Sequence, residues 1–359
     1  MKMMYIGSLA TKPDRDSGWI REFSNLGWDV VSFGSDCEAN AKGVIGKIRR
    51  RLHVGHVNCE MRRALLDLIA QEKPAWVHFR LPINFDRHTI LAIKKIVPVV
   101  TQYFNDDPFS GKEPFGLYWK FRKALTTYDG NFVYRAHNIS SYQSSGAKFV
   151  AHCPPAYTPA RHCLGQRLPS GKFIADVAFI GHCEGDWRVD CLDTLYESGL
   201  KVILKGGMWD KAIRSRSIGE LSPINHAFGE EYNYIYSNVI AGLCFFSKIN
   251  RDTWTERALE IIAVGGVLVC ERTAEATTYF TDREEAYFFS TIDELIEIVA
   301  ELKRDPKTRE RVRQAGHRRL LAGAHTIRDR AAQIDQFVRT HPYQSNLKAS
   351  SKSKYNIST

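Results

Sequence analysis

A chain of 359 residues exceeds the size at which one hydrophobic core usually keeps growing, and at roughly 150 residues per domain it predicts two. Its composition, 44% hydrophobic and 25% charged with frequent aromatics, excludes a disordered chain. No apolar run reaches the ~18 residues of a membrane span, and "MKMMYIGSLATKPDRD" breaks into charge before a secretory h-region develops, so a soluble, cytoplasmic protein is expected. Eight cysteines without a C-x-x-C pair read as buried free thiols, and no Cys/His cluster has the spacing of a structural zinc site. The formal charge of +10 is densest in 46–63 and 307–321. It points to anionic partners, or to solvated helix faces. In 46–63, Ile48, Leu52, Val54 and Val57 interleave with the bases, a pattern suited to a helix lying on anionic lipid, and hence to peripheral contact with the inner membrane face.

In chain order, "MMYIGS" (3–8) predicts a strand before a helix near 16–26, and "DVVSFG" (29–34) a strand before a basic segment and the helix "EMRRALLDLIAQE". "AWVHFR" (75–80) precedes the helix "RHTILAIKK", and "PVVTQYFN" (98–105), "NFVYRA" (131–136) and "AKFVAH" (147–152) complete a first series. The Pro/Gly-rich stretch 156–173 is the expected linker. A second series follows: "DVAFIG" (176–181), a helix near 186–198, "KVILKG" (201–206), "VIAGLCFF" (239–246), a helix over 253–264, "GVLVCE" (266–271), "AYFF" (286–289) and "TIDELIEIVAELKRD". Alternation of this kind predicts an α/β fold of two Rossmann-like, doubly wound parallel-sheet domains. The expected boundaries are 1–155 and 174–340, with a disordered tail at 341–359.

Ligands of open α/β sheets bind outside the carboxyl ends of the strands, where helix N-termini and glycine turns offer N–H groups. "FIGHCEGDW", "LKGGMW" and "FFSKINRDTWT" all follow predicted strands at that edge, bringing in His182, Lys205 and Gly206. The last enters a helix with Asp252 or Thr253 as N-cap, an arrangement that suits a diphosphate. Lys248, Arg251 and Arg257 add positive charge, and Glu260, one turn beyond Arg257, offers an acceptor-only carboxylate to a pair of ribose hydroxyls. The alternative is that Arg257 and Glu260 merely pair on a helix surface. Gly265 and Gly266 then end the helix.

The stretch "DTWTERALEIIAVGGVLVCE" resembles the nucleotide-sugar motif of GT-B glycosyltransferases, in which two acidic residues are separated by seven; here they are Asp252, expected to be catalytic, and Glu260, expected to bind the donor. The spacing of Thr255, Arg257 and Glu260 is similar to that of the CgeB-like branch of the group 1 enzymes, and the resemblance covers roughly 175–330. It implies a GT-B fold with two lobes facing a cleft, the donor mainly in the C-terminal lobe and the acceptor mainly in the other, and no cofactor or bound metal. The first acidic position is Asp where the family usually has Glu, and the family's diphosphate-gripping Arg…Lys pair has only Arg188 and Lys205 as substitutes.

Such an enzyme would move a sugar from a nucleoside diphosphate sugar to a hydroxyl of a glycan or lipid-linked glycan, in surface polysaccharide or glycolipid synthesis. An inverting reaction needs a base in the N-terminal lobe, and "YFNDDPF" offers Asp106 and Asp107, of which Asp107 is preferred; a turn role for both is the alternative. If the reaction retains configuration, Asp107 would position the acceptor. Gly7 and Ser8 form a loop that could approach the acceptor and donor sugar. "DRD" (14–16) imitates a metal-binding D-x-D, but it follows the first strand of a Rossmann-like lobe and is not read as a metal site. His137 and His182 read as loop histidines. A nucleotide-sugar epimerase and a non-catalytic nucleotide- or RNA-binding protein are the competing functions; the second lacks an aromatic RNA-recognition motif, so no nucleic-acid partner is expected.

Overall fold

The computed structural model describes residues 1–9, 13–36, 43–169 and 171–342. Among the described residues, eleven strands form two all-parallel sheets. The first holds β1 (Lys2–Gly7), β2 (Asp29–Gly34), β3 (Trp76–Arg80), β4 (Val99–Phe104), β5 (Gly130–Val133) and β6 (Val150–His152) in the order β2-β1-β3-β4-β5-β6. The second holds β7 (Ala175–Ile180), β8 (Val202–Lys205), β9 (Val239–Cys244), β10 (Leu268–Glu271) and β11 (Tyr287–Phe289) in the order β11-β10-β9-β7-β8. Each expected strand is present, in two parallel-sheet α/β domains.

The central strands are buried along their whole length, as a sheet covered on both faces requires. In β7, Val177 and Phe179 join one core with the helices Arg188–Glu197 and Ile292–Arg304. Ala178 and Ile180 join another with the helices Gly229–Ser237 and Glu256–Ala263. Alternation of side chains along a strand thus gives each face its own core. In the first sheet Met4, Ile6, Val77 and Phe79 pack with Leu65 and Ile69 of the helix His56–Glu72.

The chain divides after Pro154 and again before Ile327: one compact unit contains 1–154 together with the chain from Ile327, the other 155–326. This differs from the expected boundaries at both ends. The stretch expected as a linker is bonded into the second unit, through Asn233 Nδ2 to the Arg161 carbonyl (2.7 Å) and through Asn238, which accepts from Leu168 N (2.7 Å) and donates to the Gln166 carbonyl (2.8 Å). The helical stretch 306–339 is expected from sequence to close the second domain or to cross back to the first; its last helix, Ile327–Thr340, packs on the first. Trp28 Nε1 donates to Asp335 at 2.6 Å, Arg339 reaches the Leu26 carbonyl, and Phe337 meets Phe132 and Phe149. Of the cysteines, five are buried and Cys59 and Cys163 are exposed, while Cys37 and all of the expected tail beyond residue 342 lie outside the described residues. Among the described residues no helix is long and apolar enough to cross a membrane.

Candidate active site

In the second sheet the chain runs from β7 outward to β8 and then crosses to β9 on the other side, so the order reverses between β7 and β9. Their carboxyl ends flank the crevice where such folds take ligands. The loops there are tied tightly. Gly181 N donates to the Lys205 carbonyl (2.9 Å), Cys183 N to the Gly207 carbonyl (3.0 Å), and Trp209 Nε1 to the Gly181 carbonyl (2.7 Å). Gly206 has φ +128°, and a Cβ there would collide with the Gly181 carbonyl, so this glycine sets how closely the two loops approach. His182 Nδ1 accepts from Gly207 N at 3.2 Å, and its ring stands edge-on to His226.

The helix Glu256–Ala263 begins later than expected: Thr255, in extended conformation, is the N-cap, and its side chain makes no capping hydrogen bond. Asp252 sits in the preceding loop, its N–H bonded to the Ser247 carbonyl, and Arg251 beside it adopts φ +51°. The helix lies close on β9 because Gly242 presents no side chain; a Cβ there would stand 2.7 Å from Ile261 Cγ2. Arg257 reaches back from the first turn, its guanidinium over the Phe179 ring (5.2 Å) and against Gly181, where a Cβ would be 2.9 Å from Nη2. Among the described residues it forms no ion pair with a carboxylate. The alternative Arg257–Glu260 surface pair is therefore not made.

Glu260 is held instead by two residues outside the sequence motif. Tyr232 Oη donates to Oε2 at 2.7 Å, and His162 Nε2 lies 3.5 Å from Oε1. The carboxylate is 16% exposed, at the site's wall and not in bulk solvent. Burial, with the adjacent Glu260 charge, pushes the Tyr232 phenol well up, which keeps it a donor. The site thus combines a guanidinium that feels the Glu260 charge but makes no direct ion pair among the described residues, a helix N-terminus without a side-chain cap, and a fixed carboxylate one turn on. Their chemistry is complementary to a diphosphate with a diol beyond it.

The other expected cations stand differently. Arg188, proposed from sequence as a phosphate grip, is 3% exposed. It meets both oxygens of Asp186 (2.6 and 2.9 Å), the His182 carbonyl (3.0 Å) and the Phe246 carbonyl (3.3 Å). It braces the β7 loop from behind. Lys205 pairs with Glu231 at 3.1 Å. Lys248 pairs with Glu271, whose other oxygen accepts from Phe246 N (2.9 Å) and Trp187 Nε1 (3.3 Å). Glu271, the last residue of β10, was visible in "GVLVCE" as a charge ending an apolar run; His162 and Tyr232 gave no such signal, being 98 and 28 residues from Glu260 along the chain.

In the first unit Asp107 is fully buried. It accepts from Phe109 N and Asn138 Nδ2, both at 2.9 Å, and lies 3.4 Å from His137 Nε2. So enclosed, the carboxylate expected from sequence to be a base faces its protein neighbours, and the partly exposed His137 is the group it presents. Asp106 accepts from Tyr118 Oη at 3.0 Å. Gly7 ends β1 against Asp16, where a Cβ would lie 2.8 Å from Oδ2, and Ser8 follows half-buried. Asp16, the last residue of "DRD", is fully buried and bonded by Tyr5 Oη (2.7 Å) and Arg80 Nη1 (2.5 Å), a structural ion pair.

The sequence model of the family described as glycosyl transferase-like matches residues 188–336, the segment that carries Arg257 and Glu260. No curated protein matches the chain significantly. Among solved structures, sucrose-phosphate synthase from Thermosynechococcus elongatus is 10% identical with a TM-score of 0.66, covering 97% of this chain and 100% of that one. HepE from Anabaena, in complex with UDP-glucose, is 9% identical with a TM-score of 0.65, covering 95% and 100%. A protein from Listeria monocytogenes assigned as a UDP-N-acetylglucosamine 2-epimerase is 10% identical with a TM-score of 0.59, covering 96% and 97%. At these identities the likeness is one of fold, and the fold is GT-B.

Proposed function

We propose that the protein is a glycosyltransferase, of the CgeB-like branch, that moves a sugar from a nucleoside diphosphate sugar to a hydroxyl acceptor. The observation that carries this reading is the unpaired Arg257 beside Gly181, at the start of a helix whose next turn holds Glu260 between Tyr232 and His162. The same segment matches the glycosyl transferase-like family, and the similar fold of HepE holds UDP-glucose. In this reading the diphosphate lies against Arg257 and the N–H groups after Thr255, with Lys248 and Arg251 adding positive potential. Glu260 accepts from the ribose hydroxyls. The acceptor oxygen forms a bond to the anomeric carbon while the bond from that carbon to the β-phosphate oxygen breaks, and the electron pair leaves with the diphosphate. Helix N–H groups and Arg257 stabilise that charge as it develops, so no bound metal is needed.

If the reaction inverts configuration, the acceptor's proton passes to His137, which the buried Asp107 orients; Gly7, Ser8 and Asp106 then border the acceptor. The acceptor we favour is a glycan or lipid-linked glycan at the inner membrane face, glycosylated there by a cytoplasmic enzyme with a peripheral contact. Exposed Ile48 and Val57 beside the bases of 46–63 support that contact. The test is turnover of UDP- and dTDP-sugars, with EDTA present, by the wild type and by Arg257→Ala. Release of nucleoside diphosphate that depends on acceptor and on Arg257 is expected, and release unaffected by Arg257→Ala would remove the reading. The likeness to the assigned 2-epimerase keeps one other reading in play: donor isomerised without acceptor would establish it.

A further inference from the structure

The second basic stretch, 307–321, belongs to the helix Pro306–Ala322, whose first turns lie by the amino ends of β9 and β10, the strand ends opposite those that border the candidate active site. A cavity of about 400 Å³ opens there, beside Val239, which begins β9, and Val267, just before β10. That volume is in the range of small-molecule sites, about 300–1,000 Å³. Four cationic side chains line it, Arg167, Lys172, Arg309 and Arg313, against the single carboxylate of Glu310.

Glu310 is already engaged. Arg313 grips both its oxygens, with Nε to Oε2 at 2.8 Å, and Arg167 stands 3.6 Å away. These contacts, led by the Arg313 hydrogen bond, hold the Glu310 carboxyl at about 2, so it stays ionised. Arg309 is the exception in the set. It is 8% exposed, its guanidinium lies over Phe173 at 4.5 Å, and Nη1 donates to the Leu302 carbonyl at 2.5 Å. Among the described residues it pairs with no carboxylate. Burial and the Arg167 charge disfavour this guanidinium while Glu310 and Asp305 favour it only from a distance, and arginine cannot escape burial by losing its proton, so a bound anion in direct contact would offset the cost.

We propose that this cavity binds a phosphorylated small molecule, with the phosphate between Arg309, Lys172 and Arg167 and the apolar remainder along Phe173. A phosphate group brings about two negative charges and several acceptor oxygens, which answers the surplus of cations better than a single carboxylate does.

Thermal unfolding with inorganic pyrophosphate, titrated at constant ionic strength, tests the assignment. The expected result is a saturable rise in Tm for the wild type and for Arg257→Ala, with apparent affinity at least about tenfold weaker when either Arg309→Met or Lys172→Ala is added to Arg257→Ala, a background that removes the diphosphate grip proposed at the active site. Lys172 is exposed, so its variant reports on binding even if Arg309→Met folds poorly. No saturable rise, a rise that both cavity variants retain, or one lost in Arg257→Ala would overturn the proposal; the last would place the anion at the active site. Sedimentation with phosphatidic acid vesicles separates the sources of phosphate. Arg309-dependent vesicle binding without a pyrophosphate response would make the anion a lipid headgroup and defeat the soluble-ligand reading.

Discussion

Glu260 shows how one residue's role depends on neighbours far away in sequence. Its carboxylate is fixed by Tyr232 and His162 before any ligand arrives, so a diol would meet a preorganised acceptor. Removing the carboxylate should then cost more than removing its support. Glu260→Ala is expected to lower kcat/KM for the donor by about 10²-fold or more, whereas Tyr232→Phe should lose about tenfold, in steady-state assays. Equal activity in the Glu260 variant would mean that the carboxylate only braces the helix. At the other candidate residue pair, His137→Ala should reduce kcat by about 10²-fold with donor KM and Tm nearly unchanged, because the imidazole is partly exposed and carries little of the core. A kcat that does not move would assign the Asp107–His137 contact to loop structure alone.

At the scale of elements, the site is made by loops that close approach holds together. Gly206→Ala puts a Cβ into the Gly181 carbonyl at a positive φ, and should destabilise the second unit by about 2 kcal/mol or more, read as a fall in denaturant midpoint. The loop that carries His182 and positions Gly181 under Arg257 would shift with it. The strands were legible in sequence because both sheets are buried on two faces, which writes a run of apolar residues for each strand. The helix after β9 was legible for the same reason, although its start was not: Asp252 and Thr253 look like caps, but their backbone belongs to the turn tied to Ser247, and Thr255 is the N-cap. Arg188 was misread because its spacing places it at the strand end without revealing that Asp186, two residues earlier, folds back onto it. Cation and acceptor are local there, whereas His162 and Tyr232 reach Glu260 only through the fold.

Across the whole molecule, acid acts on the first unit through two buried histidines. In the first, burial and the nearby Arg80 charge push His78 down to about 3, and burial with Lys120 pushes His53 down to about 4. Both histidines are neutral when folded and gain a proton more readily when unfolded, from an ordinary pKa of about 6.5. Their contribution to stability is complete above about pH 6.5 and falls away as the pH drops toward 4 and 3. Unfolding followed by a tryptophan of the first unit should therefore show Tm falling between pH 6.5 and 4, and a His78→Gln variant that still folds should flatten that slope. The same unit includes the helix Ile327–Thr340, which the apolar periodicity of the tail half could not assign to one sheet or the other. The central claim, that the start of the helix Glu256–Ala263 is a nucleoside diphosphate site, is tested most directly by a crystal soaked with UDP-glucose. The expected density has the diphosphate against Arg257 and Gly181 and the ribose at Glu260; well-ordered nucleotide elsewhere on the protein, with that helix start vacant, would contradict it.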